Sequence, residues 1–168
     1  MDARGVFEDL FQRGRDGLVP VVDLSDEELY AEPLPSIAWY AWRMGRTLDH
    51  NITGLTETDQ LWVTDGWAER FGMAPDAKDF LPGFPPPDDI VRTFRAPSAQ
   101  LLLDYYDAVH ERTKAYLDTL TADGFDRVLD EQRPDPRPTV SVRLVSVAVA
   151  VAQSSGPVRY RMWLNESR

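Results

Sequence analysis

The chain has 168 residues, no cysteine, a formal net charge of −10 and an isoelectric point near 4.6. Its length, with 43% hydrophobic and 27% charged residues, is typical of a globular protein, so we expect residues 1–168 to form a single domain. The missing cysteines exclude disulfides, thiolate metal ligands and a cysteine nucleophile. The negative charge would repel phosphate groups, so we expect no nucleic-acid partner.

A membrane location is not expected either. No apolar run approaches the roughly 20 residues that cross a bilayer. The first residues include the acidic Asp2 and lack the apolar stretch of a signal peptide. We therefore expect a cytoplasmic protein.

The first predicted helix covers residues 3–23 and leads into a short turn. The apolar positions of this helix are Val6, Leu10, Val19 and Val22. In the turn, Ser25 and Glu28 have capping-box spacing, which predicts one turn of helix.

The second predicted helix begins at Pro35-Ser36, with Ser36 as its N-cap, and ends near Leu55. One side is apolar at helical spacing and carries Ile37, Ala41, Met44, Leu48, Ile52 and Leu55. A different side carries Trp39, Arg43, Thr47 and His50. The geometry of an α-helix places the two sides about a third to a half turn apart.

Residues 56–96 are predicted to be mostly loop, with a short helix at Trp67–Phe71. Pro97 suits a first helical turn and opens the third helix, which we expect to end near Asp123-Gly124. The apolar stripe of this helix consists of Leu102, Tyr106, Val109, Thr113, Tyr116, Leu117 and Leu120.

The last segment, from Pro138-Thr139, carries conflicting local signals. Large and small apolar residues alternate over 147–152, and valine favours strands. A helix is the better interpretation, because the sequence offers no second strong strand to pair with this one. Pro157 is then expected to kink or end the helix. Three or four helices with one long connection predict an all-α bundle.

Few residues point to chemistry. The two histidines, His50 and His110, fall on different predicted helices, and a metal site needs three or four converging donors. We expect His110 at the rim of the third helix's apolar stripe. Trp39 and Trp67 are interpreted either as core residues or as the walls of a pocket.

Four segments carry a family resemblance in the same order along the chain. They are residues 36–50 (SIAWYAWRMGRTLDH), 60–73 (QLWVTDGWAERFGM), 104–113 (DYYDAVHERT) and 139–147 (TVSVRLVSV). Together they resemble the DinB-like superfamily, and more closely its members similar to mycothiol-dependent isomerases. The resemblance implies an up-down-down-up four-helix bundle, with a long irregular crossover between helices two and three, that commonly assembles as a homodimer.

Many members of that family hold nickel or zinc in a pocket between helices, and some use it to activate a low-molecular-weight thiol such as mycothiol. The resemblance implies one ligand on the second helix and two, four residues apart, on the last. In this sequence those positions fall on Arg43, Ala150 and Ser154. Arginine only donates hydrogen bonds, alanine has no ligand atom, and serine is a poor zinc or nickel ligand. We therefore expect that the metal site is lost and that no cofactor is bound.

Three functions stay open at this point. The first, which we favour, is a non-catalytic protein with a residual pocket for a small, anionic molecule. Its candidate residues are Trp39, Arg43, Thr47, His50, Trp67, Ala150 and Ser154. The second is a metal-dependent thiol S-transferase or isomerase that binds zinc or nickel through displaced ligands, among them His50. The third is a structural or interaction protein with a filled core, in which Arg43 pairs with Asp49, Asp65 or Glu69.

Overall fold

A computed structural model describes residues 2–32, 35–76, 88–129, 139–149, 151–152 and 158. Those residues are mostly helical and include no strand, only an isolated antiparallel bridge between Val128 and Thr139. The all-α class predicted from the sequence is confirmed. None of the described helices is long and apolar enough to cross a bilayer.

Helices of different lengths follow one another along the described part of the chain. Their bounds are α1 Ala3–Asp16, a 3₁₀ segment Val19–Asp23, α2 Asp26–Leu29, α3 Ile37–Thr56, α4 Leu61–Thr64, α5 Trp67–Arg70, α6 Asp88–Thr93, α7 Ala99–Thr119 and α8 Ala122–Phe125. Residues 140–149 and 151–152 are helical as well and are called α9 here. The predicted helix over the last segment is therefore confirmed for these residues, whereas the kink expected at Pro157 lies outside the described residues.

Helices α3 and α7 form the centre of the fold and run in the same direction. Tyr105 of α7 contacts Asp49 of α3, and Arg112, two turns further along α7, contacts Thr56, two turns further along α3. The ring of Tyr105 packs against α3 at Gly45, where a Cβ atom would lie only 2.7 Å from it. Glycine is therefore needed there to let the helices approach.

Helix α1 runs antiparallel to α7. Arg4 at its beginning donates to the Leu120 carbonyl just after α7, whereas Arg15 at its end pairs with Asp107 in the middle of α7. Helix α9 starts where Val140 N donates to the Arg127 carbonyl. These directions are the ones that an up-down-down-up order requires. The complete four-helix bundle stays a prediction, because the last helix is only partly described.

The core is rich in aromatic side chains. Trp39 and Trp42 on α3 lie with ring centroids 5.0 Å apart, and both pack against Phe94 after α6. Trp62 of α4 continues the cluster towards Phe71 and Tyr105. Large aromatic rings contribute much of the burial that stabilises a small domain. The cluster holds Trp62, Phe71 and Phe94, which follow α3 in the sequence, against the core.

The prediction for α1 was partly wrong. The predicted helix over 3–23 ends at Asp16 and gives way to the 3₁₀ segment, where Pro20 removes a backbone donor. Val6 and Leu10, predicted as its apolar positions, are 42% and 41% exposed, whereas Phe7 and Phe11 are buried. The pair Val6 and Leu10 and the pair Phe7 and Phe11 have the same four-residue spacing. Burial of the larger phenylalanine side chains stabilises the fold more.

The other helix ends are close to their predictions. Ser36 caps α3 by accepting a hydrogen bond from Trp39 N, and Ser25 and Glu28 form the predicted capping box of α2. Helix α7 ends at Thr119, before the expected Asp123-Gly124, because a separate turn of helix, α8, starts after its own cap Thr121.

Candidate functional site

The Arg43 side of α3 is the first part of the candidate site. Trp39 and Thr47, one turn before and one turn after Arg43, are 1% and 7% exposed, so this side of the helix faces the interior of the protein. Arg43 is half-buried between them, and its Nη1 atom is buried. Burial lowers the pKa of the Arg43 guanidinium, and Tyr40 opposes that shift. Trp39, Arg43 and Thr47 thus lie on one side of α3, as their four-residue spacing requires, whereas their role as the lining of a ligand pocket stays a prediction.

His50 lies two turns beyond Arg43, about 10 Å further along the helix axis. Its Nδ1 atom is 3.3 Å from Nε2 of Gln60, in the segment that precedes α4. Its surroundings therefore include that segment, and the amide of Gln60 can donate to the imidazole when Nδ1 carries no proton.

Trp67 opens α5 and is 7% exposed. Its ring lies 5.2 Å from the ring of Tyr105 on α7, and the guanidinium of Arg70 covers it at 4.3 Å. The structure thus places Trp67 in the aromatic core beside α7. Ala150 and Ser154, the two candidate positions of the last helix, lie outside the described residues, so their relation to Arg43 stays a prediction.

A buried charge network, which no sequence pattern indicated, is centred on Arg46 and Asp49, both 0% exposed. Oδ1 of Asp49 accepts a hydrogen bond from Leu61 N at 3.0 Å, and Oδ2 accepts from Trp62 N at 2.8 Å and from the Tyr105 hydroxyl at 2.9 Å. Asp49 therefore caps α4 from a neighbouring helix and ties α3, α4 and α7 together.

Arg46 fills the space beside this carboxylate. It donates to Oε1 of Gln60 at 2.8 Å and to the Asp76 carbonyl at 3.1 Å, and its guanidinium lies 4.4 Å from the ring centroid of Trp62. Its Nη1 is 3.9 Å from Oδ2 of Asp49. A planar guanidinium with five donors suits such a site, because each donor needs an acceptor once water is excluded.

Arg112 of α7 completes the network from the other side. Its Nη1 lies 3.6 Å from Oδ1 of Asp49, and the side chain is 15% exposed. Burial raises the pKa of Asp49, while the two backbone amides, Tyr105 and Arg46 act in the opposite direction. Burial and the neighbouring Asp49 carboxylate raise the pKa of Tyr105 well above its ordinary value. Asp49 thus has several partners in the structure.

His110 differs from its predicted rim position, because only 2% of it is exposed. Its ring stacks on Tyr106 with centroids 6.1 Å apart, and its Nε2 atom has no hydrogen-bond partner among the described residues. Burial lowers the pKa of His110 from its ordinary value. The spacing of the α7 stripe placed His110 beside Val109, but α1 covers that edge of the helix.

Within the part of the chain that the structure describes, no three histidine or acidic side chains are grouped as a metal site would require. No curated protein matches the chain. A crystal structure of the conserved protein of locus from Enterococcus faecalis is similar over 100% of this chain and 99% of that one, with 26% identity and a TM-score of 0.84. A model of the DinB superfamily matches residues 10–150. This chain belongs to the DinB superfamily.

Proposed function

We propose that this DinB-superfamily protein binds a small anionic molecule beside Arg43 and carries out no metal-dependent thiol chemistry. The observation behind the proposal is the half-buried guanidinium of Arg43 between Trp39 and Thr47. It occupies the second-helix position at which the family resemblance implies a metal ligand. A fixed positive charge thus stands where relatives would bind a cation.

The electrostatics of Arg43 favour an anionic ligand. Burial opposes the charged form of its side chain, as the lowered pKa indicates, and a carboxylate placed against the guanidinium would offset that cost. Carboxylates form paired, charge-assisted hydrogen bonds with arginine, and a partly dry site strengthens them. The indole of Trp39 and the methyl group of Thr47 would supply apolar contact to the rest of the molecule.

The test is a thermal-shift titration of the purified protein with acetate, succinate and benzoate, using chloride at equal ionic strength as the reference. A ligand that binds the folded state raises Tm with concentration. We expect a saturable rise for at least one acid in the wild type and in the control Arg15→Gln, and its loss in Arg43→Gln. Arg15 is a suitable control because it is a partly exposed arginine whose charge is paired with Asp107.

Two results would replace the proposal by one of its alternatives. Zinc or nickel in protein from metal-supplemented cultures, lost on His50→Ala, would support a metal-dependent thiol S-transferase or isomerase of the mycothiol type. No shift with any acid, together with a strongly destabilised Arg43→Ala, would support a structural protein with a filled core.

We propose in addition that the protein is a cytoplasmic homodimer. Three valines at helical spacing on α9 support this assembly, because Val142, Val145 and Val149 are 54%, 50% and 48% exposed. Exposed apolar stripes of this kind mark interaction surfaces. Analytical ultracentrifugation should show a dimer that Val145→Asp dissociates and that Val63→Asp, at a 40% exposed valine on α4, leaves intact. A monomeric wild type would exclude the homodimer.

A further inference from the structure

A basic cavity lies where the segment after α2, the beginning of α3 and the end of α6 meet. Its volume is about 220 Å³, and its lining residues are Tyr30, Glu32, Ser36, Val91, Arg92 and Arg95. Sites for drug-sized ligands span roughly 300–1,000 Å³, so this cavity suits a smaller molecule. Arg43 is separate from it, because Arg43 lies seven residues beyond Ser36 on α3, about 10 Å along the helix axis.

The charged end of Arg95 is held at the wall of this cavity. Its Nη1 donates to the carbonyls of Arg92 and Phe94 at 2.9 and 2.7 Å, and its guanidinium lies 4.6 Å from the ring centroid of Tyr30. The Tyr30 hydroxyl in turn donates to the Ala96 carbonyl and accepts from Ala96 N. Because Tyr30 itself lines the cavity, the guanidinium that rests on its ring lies beside the open space.

The charge of Arg95 has no acidic partner within the described part of the chain. Its Nε and Nη2 atoms donate to no described residue, and the residue is exposed. A guanidinium carries five N–H donors in a planar fork that matches the oxygens of carboxylate and phosphate groups. Arg95 therefore keeps charge-assisted donors for a ligand.

Arg92 supplies a second guanidinium. Its Nη1 lies 3.3 Å from Oε1 of Glu32, which also lines the cavity, and the two side chains are 59% and 67% exposed. An exposed ion pair contributes little to stability, because water and salt screen it. A ligand with more negative charge than one carboxylate can therefore displace Glu32 from Arg92.

We propose that this cavity binds a phosphate group, free or at the end of a small molecule, between Arg95 and Arg92, with Glu32 displaced. A phosphate monoester carries about −1.5 to −2 charge at pH 7 and three strong acceptor oxygens, which two guanidinium groups can share. The net charge of −10 repels extended polyanions such as nucleic acids and anionic membranes. Size and charge together thus select a small phosphate compound.

The experiment titrates ¹⁵N-labelled protein with methyl phosphate and with dimethyl phosphate, and NMR follows the backbone amide and arginine Nε–H signals. At about pH 7.5 and constant ionic strength, the diester is of similar size but carries only one negative charge. The Nε–H signal that disappears in Arg95→Lys should shift with methyl phosphate in a saturable way. Dimethyl phosphate should bind about tenfold more weakly.

Inorganic phosphate is the third probe and separates the two sources of the group. Tighter binding of methyl phosphate would identify a phosphomonoester as the ligand, and tighter binding of inorganic phosphate would identify the free ion.

Four variants locate the binding. Arg95→Gln should weaken methyl phosphate about tenfold, because it removes the unpaired guanidinium. Glu32→Gln should strengthen it about two- to fivefold, because it removes the competing carboxylate, and loss of folding cannot produce such a gain. Arg13→Gln, at an exposed arginine paired with Asp9 on α1, is the matched control and should leave binding unchanged. Arg43→Gln should leave it unchanged too.

Three results would each overturn the proposal: equal binding of the monoester and the diester, unchanged binding in Arg95→Gln, or no gain in Glu32→Gln. A phosphate response that is lost in Arg43→Gln and kept in Arg95→Gln would assign the anion to the Arg43 site instead. The two anion sites can therefore fail independently of each other.

Discussion

Arg43 and Arg46 are three residues apart on the same helix, and their surroundings differ. Arg46 is 0% exposed and is held by Gln60, the Asp76 carbonyl and the carboxylate of Asp49. Arg43, just under one turn earlier on α3, is only half-buried, and burial lowers the pKa of its guanidinium. A charge surrounded by acceptors at full burial stabilises one arrangement of the chain, whereas a charge at the edge of the interior can still meet a ligand.

The largest effect is expected for Asp49→Ala. The substitution leaves the amides of Leu61 and Trp62 without their acceptor and strands the buried charge of Arg46. Breaking a buried pair on one side costs about 3–5 kcal/mol. Urea denaturation followed by far-UV circular dichroism measures it. The control, Asp107→Ala, removes a partner whose side chain is 32% exposed and should cost less than about 1 kcal/mol. Equal losses in the two variants would contradict the role given to burial.

A smaller loss is expected for Tyr105→Phe, which deletes the hydroxyl that donates to Asp49 at 2.9 Å and keeps the ring in the aromatic cluster. A hydrogen bond to a charged group contributes about 1.5–3 kcal/mol. The same denaturation experiment measures the loss. Tyr116→Phe is the matched control on α7, because the Tyr116 hydroxyl has no hydrogen-bond partner among the described residues. If the two phenylalanine variants are equally stable, the Tyr105 hydroxyl contributes nothing to the network.

The surroundings of Arg43 and of Arg46 also show which parts of the structure could be predicted from the sequence and which could not. Helix α3 was predictable because the cap Ser36 and the apolar positions from Ile37 to Leu55 are local in the sequence. The three-residue spacing of Arg46 and Asp49 was visible as well, but their partners Gln60, Tyr105 and Arg112 lie 14 to 63 residues away. Only the packing of α7 and α4 against α3 reveals that these polar residues are buried.

The site itself was predictable only as far as local spacing reaches. Trp39, Arg43 and Thr47 share one side of α3 as their four-residue spacing requires. His50 lies on the same side of α3, but its hydrogen-bond neighbour Gln60 belongs to a later segment of the chain.

His110 provides a third case, a buried titratable group whose Nε2 has no partner among the described residues. The charged groups around it are Asp107, Glu111 and Lys114 on α7 and Glu8, Asp9 and Arg15 on α1. Because burial lowers the pKa of His110 in the folded state, the unfolded chain binds its proton more tightly. The free energy of unfolding should therefore decrease as pH falls from about 6.5 towards the lower folded pKa.

Urea denaturation at several pH values across that window measures the effect. His110→Gln should remove part of the pH dependence. The raised pKa of Asp49 acts in the opposite sense, favouring the fold at lower pH, and is common to the wild type and the variant. An unchanged pH profile in His110→Gln would show that its neutral form is not required for folding.

The smallest effect on stability is expected for Arg43→Ala, at less than about 1 kcal/mol in the same denaturation assay. The cost of burying part of the guanidinium offsets what its contacts contribute, and alanine is the better helix former within α3. The same variant should lose the Tm response to small carboxylates. A loss of stability as large as that of Asp49→Ala would show that the charge of Arg43, like that of Arg46, stabilises the folded core. Little loss of stability together with loss of the anion response would show that folding tolerates alanine at position 43 while binding does not, because only the ligand requires that charge.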